Sequence, residues 1–179
     1  AFNYKTEKEK NDLYEELKSS IIESDANMVL ESIELKPYNP ESDQSITWIK
    51  NYRITDNITP VNKFPLTLNS ILHYSSDIYT NCENRKTNAY LGFPHKYDYT
   101  YVISSDKGNI IPNENFNKTI TNDIGTFTST IQQKSPNSVE IRLIFDTKAD
   151  NCKKEQWCSY SELNNAFETA FLLPLILEK

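Results

Sequence analysis

The sequence predicts a mainly β, antiparallel, β-sandwich-like domain with an N-terminal helix and a C-terminal helix. Three observations predict it. Several stretches place apolar residues at every second position, the period of a strand with one face in a core. Polar turns separate these stretches, which is the order of hairpins in series and not of alternating strands and helices. Apolar residues at helical spacing are confined to the two ends of the chain.

The elements follow in order. Residues 5–22 read as an amphipathic helix: Leu13, Tyr14, Leu17 and Ile21 share a face, while Lys5, Glu7, Lys8, Glu9 and Lys10 supply a solvated one. Ser24, Asp25 and Asn27 break it. Residues 29–35 read as a strand, closed by Lys36-Pro37-Tyr38-Asn39-Pro40. That Pro and Asn cluster marks a boundary. It divides the chain into 1–40, a helix with a connecting segment, and 41–179, the β domain with its C-terminal helix and last strand.

Within the second part, Ile46, Trp48, Tyr52 and Ile54 alternate with Thr47, Asn51, Arg53 and Thr55. Phe64, Leu66, Leu68, Ser70 and Leu72 alternate likewise, as do Tyr97, Tyr99, Tyr101 and Ile103. Asp106-Lys107-Gly108-Asn109 has the composition of a turn. Phe127, Ser129 and Ile131 are expected to pair with Val139, Ile141, Leu143 and Phe145 across Ser135-Pro136-Asn137. Ser159 followed by Glu162 reads as a capping box that starts a helix. Tyr160, Leu163, Phe167, Ala170 and Phe171 form its apolar face, Pro174 stops it, and Leu175, Ile176 and Leu177 read as a last strand.

Composition excludes several functions. The 179 residues are 37% hydrophobic and 12% aromatic, enough for a core. Three glycines are too few for Walker-type or dinucleotide-binding loops, so no nucleotide cofactor is expected. A formal net charge of −6 and the absence of a Lys/Arg cluster point away from nucleic acid. No apolar run reaches the roughly 18 residues of a membrane span; the longest, 166–177, contains Glu168 and Pro174. Ala1, with no basic-then-apolar leader, reads as the start of a processed protein or of an excised piece.

Candidate sites are few. Cys152 and Cys158 flank five residues and are spaced for a local disulfide in an oxidising compartment, the alternative being plain buried thiols. A single Cys-x5-Cys with His73 and His95 far off does not make a zinc set, so no metal is expected. Cys82, His95 and Asp98 supply the residue types of a small cysteine hydrolase, but no helix start stands behind Cys82 to lower its pKa. Carboxylates such as Glu41, Asp43, Asp106 and Glu114 lie in polar loops, with no apolar pocket to make one a general acid. Tyr97, Tyr99 and Tyr101, with Tyr90 nearby, are either the core face of a strand or a binding platform for glycan or peptide. Asn57-Ile58-Thr59 and Asn117-Lys118-Thr119 match glycosylation acceptors.

A set of short motifs recurs in a familiar order. It comprises Arg85 ahead of Leu91-Gly92-Phe93-Pro94, then Lys107-Gly108-Asn109-Ile110-Ile111-Pro112, then Asn122-Asp123-Ile124-Gly125-Thr126-Phe127. Tyr160-Ser161-Glu162-Leu163 and the terminal Leu175-Ile176-Leu177-Glu178-Lys179 complete it. In this the chain resembles the C-terminal β domain, of unknown function, of secreted transglutaminase-like proteins of Bacteroidota. Lys86-Thr87-Asn88 stands where that pattern has a proline. The resemblance implies a papain-like core earlier in the same polypeptide, holding the Cys-His-Asp catalysis. This chain is then a non-catalytic accessory domain, secreted or periplasmic, that packs on its core or engages an outside partner. A free-standing glycan- or peptide-binding module is the alternative.

Overall fold

The computed structural model describes residues 28–35, 48–54, 63–72, 85–91, 96–148 and 150–178, with Lys8, Asn11, Asp12, Glu15 and Cys82. Of the helix expected over 5–22, those first four residues are helical and exposed, and the remainder lies outside the described residues. The chain divides into two compact units, 1–58 and 59–179. The division therefore falls later than the 40/41 boundary expected from the Pro and Asn cluster. The reason is pairing: β1 (Met28–Leu35) and β2 (Trp48–Ile54) form one antiparallel ribbon across that cluster. Asn51 donates to Ser32 at 2.7 Å, and Arg53 bridges Glu31 at 2.9 Å across it.

The second unit is antiparallel β with one long helix, as its periodicity predicted. Its main sheet has the order β5-β9-β8-β7, from β5 (Lys96–Ser104), β7 (Lys118–Thr121), β8 (Gly125–Ser135) and β9 (Ser138–Thr147). β8 and β9 form the expected hairpin, with Phe127 opposite Phe145 and Ile131 opposite Ile141. A smaller sheet has the order β3-β11-β6, from β3 (Lys63–Thr67), β6 (Asn109–Ile111) and β11 (Pro174–Glu178). β4 (Ala89–Tyr90) pairs with β10 (Asn151–Cys152). Both larger sheets feed one core: Phe127, Val139, Ile141, Leu143 and Phe145 from the first, Ile110, Leu175 and Leu177 from the second.

The strand expected to run through Leu72 instead ends at Thr67, and helix α1 (Leu68–Leu72) follows. Thr67 and Ser70 cap it reciprocally: Ser70 N donates to Thr67 Oγ1 and Thr67 N to Ser70 Oγ, each at 3.0 Å. Turning the chain there sends Leu68 fully into the core. The long helix α2 (Trp157–Leu172) starts two residues before the expected Ser159 cap, directly after a 3-10 turn at Lys154–Gln156. Its first turn is served from outside. The Asp123 carboxylate accepts from Gln156 Nε2 at 2.7 Å, and hydrogen bonds from Gln156 and Ser159 hold its pKa below the usual carboxylate value. A carboxylate at a helix start also suits the dipole. Leu163, Ala170 and Phe171 are buried beneath α2, which lies over β8 and β9.

Gly125 opens β8 for a steric reason. A Cβ there would collide with the Asp146 carbonyl on the neighbouring strand. Asn122 shapes the preceding turn: its Oδ1 accepts from Ile124 N at 3.0 Å, and its backbone N donates to Gly125 O at 3.0 Å.

Candidate functional site: the aromatic rim of the edge strand

β5 is an edge strand of the main sheet, paired with β9 in an unbroken register from Lys96↔Asp146 to Ser104↔Ser138. Just beyond, Ser105 N donates to Asn137 O at 2.9 Å, which continues that register and fixes its phase. Antiparallel ladders alternate, so Tyr97, Tyr99, Tyr101 and Ile103 exchange backbone hydrogen bonds with β9. The backbone groups of Lys96, Asp98, Thr100, Val102 and Ser104 point the other way. Among the described residues no strand pairs with that edge.

The three tyrosines divide the two sequence readings between them. Their rings form a near-parallel row, with centroids 6.0 Å apart from Tyr97 to Tyr99 and 6.2 Å from Tyr99 to Tyr101. Tyr101 packs against the core and meets Phe171 edge-on. Tyr99 leans on Phe167 yet is 39% exposed, and Tyr97 is 46% exposed. Burial pushes the Tyr99 phenol above its ordinary pKa, with Tyr97 adding to the shift. The row thus runs from core to rim. Tyr90, on β4, is exposed.

Sequence reasoning missed the continuation of this rim onto α2. Trp157 and Tyr160 stack with centroids 5.1 Å apart, and the Arg85 guanidinium lies 3.9 Å over the Trp157 ring. Burial raises the Tyr160 pKa, and Cys152, Tyr97 and the buried Glu168 add smaller electrostatic contributions. Tyr160 and Trp157 carry helical spacing, a usable signal. Nothing local links Arg85 to Trp157.

The cysteines pair otherwise than their spacing suggested. Cys158 is bonded to Cys82, with 4.6 Å between Cα atoms, and Cys152 is a buried free thiol whose pKa burial raises. Cys152 lies in β10, paired with Ala89 and directed into the core, whereas Cys158 on the first turn of α2 is exposed beside the incoming chain. With its sulfur in that bond, Cys82 carries no thiolate in this structure. His95 and His73 lie outside the described residues. Asp98 is on the outer face of the sheet, where Arg142 grips it with two hydrogen bonds, 2.8 and 2.6 Å, and holds its pKa below the ordinary value.

The other candidates resolve simply. Asp106 and Glu114 are exposed, and Glu41, Asp43 and the Asn57 acceptor lie outside the described residues. Asn117 is committed on both side-chain atoms: its Nδ2 donates to Glu114 at 2.9 Å and its Oδ1 accepts from Ile131 N at 3.0 Å. A glycan on that nitrogen would leave it one N–H in place of two. Among the described residues no group of three or more His, Cys, Asp or Glu is placed to hold a metal ion. Nor is any helix among them long and apolar enough to cross a membrane.

A family model matches residues 56–177; it is described as a domain of unknown function with solved-structure structure, DUF3858. The chain belongs to the DUF3858 family. The match begins three residues before the second compact unit and ends within β11, so the family domain and that unit nearly coincide. No curated protein and no solved structure matches the chain.

Proposed function

We propose that this DUF3858 domain is a non-catalytic accessory domain of a larger secreted or periplasmic transglutaminase-like protein, and that it engages a partner through the β5 rim. One observation carries the reading. A nine-residue edge strand has an outward row of backbone donors and acceptors, beside two half-exposed tyrosines on a rigid base. Main-chain groups on such an edge supply affinity, and side chains at alternate positions supply selectivity. The order of short motifs supports the transglutaminase-like context. The Cys82–Cys158 disulfide supports an oxidising compartment.

Two measurements test this. The reading frame upstream of the Ala1 codon is expected to encode a Cys-His-Asp core. A frame that instead opens with a signal peptide just before Ala1 overturns the accessory role and favours a free-standing glycan- or peptide-binding module. In the complete polypeptide, the amides of Asp98, Thr100 and Val102 are expected to exchange more slowly than in the dilute chain alone. Tyr97 and Tyr99 are expected to resist nitration there. Equal exchange and equal nitration in both overturn the rim as a partner surface.

A further inference from the structure

The β5 edge has a property that partner binding in general does not require: it is complementary to itself. Its nine residues centre on Thr100, and Thr100 belongs to the set whose backbone groups face outward. We propose that β5 pairs antiparallel with β5 of a second copy of this chain about a two-fold axis through Thr100. The two four-stranded sheets then become one continuous sheet. This inference rests on the β5 rim being the partner surface, and it names the partner.

The register follows from the alternation. A two-fold at Thr100 sets Thr100 opposite Thr100 of the second copy, Asp98 opposite Val102, and Lys96 opposite Ser104. Each of these residues directs its N–H and C=O outward, so every pair exchanges both hydrogen bonds. An axis on Tyr99 or Tyr101 pairs four of the five outward residues, and an axis between two residues would oppose groups already spent on β9, whereas the Thr100 axis pairs all five. The inner face then brings Tyr99 against Tyr101 of the second copy and Tyr97 against Ile103. These are the closely spaced pairs of an antiparallel ladder, where aromatic and β-branched side chains contribute most.

Charge and shape agree. No like charges stand opposite one another in this register: Lys96 faces a serine, and Asp98, already held by Arg142, faces a valine. Val102 is 63% exposed in the chain alone, and the mate's strand covers it. On the inner side α2 lies over β8 and β9, and Tyr97 and Tyr99 on β5 keep 46% and 39% exposure. β5 has neither proline nor a register shift, two of the devices that stop strands adding to an edge, and its charges, Lys96 and Asp98, lie in its first three residues. A two-fold self-pairing of this kind is an isologous interface, the form most homo-oligomers use.

The experiment is sedimentation velocity of the whole chain from about 1 to 200 μM, with three variants whose folding is checked by melting temperature. Thr100→Lys places two ammonium groups against each other on the axis, and Thr100→Glu two carboxylates; each is expected to weaken self-association at least about tenfold. An equimolar mixture of the two is expected to associate again, as a heterodimer. Val102→Pro removes an outward N–H without touching the β9 ladder and is expected to weaken association too. A chain that stays monomeric throughout, variants that associate like the parent, or a mixture that does not recover overturns the proposal. Protection of Tyr97 and Tyr99 in the complete polypeptide, with the chain alone monomeric, removes the second copy and leaves the rim reading standing.

Discussion

At one edge of the main sheet β7 runs for four residues, and at the other β5 runs for nine. β7 follows a 3-10 turn whose terminal Asn117 is already bonded to Ile131, and its threonines face those of β8, Thr119 with Thr128 and Thr121 with Thr126. It offers an incoming strand little unpaired backbone. β5 is held on one side by β9 and from within by Tyr101 against Phe171, and among the described residues no strand pairs with its other side. Packing and exposure therefore need not oppose each other along a strand. The aromatic residues that bury one end of β5 are the same type that decorate its rim, and the position of α2 decides which are which.

The comparison can be broken most severely at the strand between the two edges. Leu143, fully buried on β9, stands opposite Tyr99 on one side and Ser129 on the other. Leu143→Ala is expected to cost about 2–5 kcal/mol in urea unfolding and to loosen β5 and β7 together. Replacing Cys82 and Cys158 by serine removes a cross-link spanning 76 residues. It is expected to cost about 2–4 kcal/mol, read as a lower melting temperature, with little change in β5 amide exchange. Equal loosening of β5 would tie the open edge to the disulfide.

Within β5 the gradient itself is testable. Tyr101→Ala is expected to destabilise by about 2 kcal/mol and Tyr97→Ala by less than about 1, measured by the same unfolding curves. Equal costs would mean that the rim tyrosines are core. The smallest effect concerns the outer face. Arg142 lowers the Asp98 pKa, so the pair contributes stability above the unfolded carboxylate value and loses it as pH falls through the folded one. Both side chains are substantially solvated, at 50% and 35% exposure, so the contribution is about 0.2–1 kcal/mol. Asp98→Asn is expected to flatten the stability profile below about pH 4 by that amount and no more.

Much of the fold was legible because strands announce themselves by period. Phe127 to Ile131 and Val139 to Phe145 alternate cleanly and are joined by a two-residue turn, so their pairing is local and inferable. Local patterns misled in two places. At Leu68 a reciprocal Thr67–Ser70 cap overrode an alternating pattern because it delivered a leucine to the core. At α2 the helix begins two residues ahead of Ser159, and Asp123 binds the Gln156 side chain at its start. The tyrosine row was visible as a pattern, but its division into partly buried Tyr101 and half-exposed Tyr97 was not, since that depends on Phe167 and Phe171 from the other end of the chain.

By itself the sequence determined the class of structure: period-two stretches and polar turns leave antiparallel sheets as the way to bury these side chains, and Pro174 ends the long helix where the last strand must start. Tertiary structure alone decided who neighbours whom. β11 sits between β3 and β6, β5 joins β9, and Cys158 reaches past Cys152 to Cys82. Period and propensity act over a few residues, whereas these partnerships are selected by which arrangement closes one core around α2, a condition that involves the whole second unit at once.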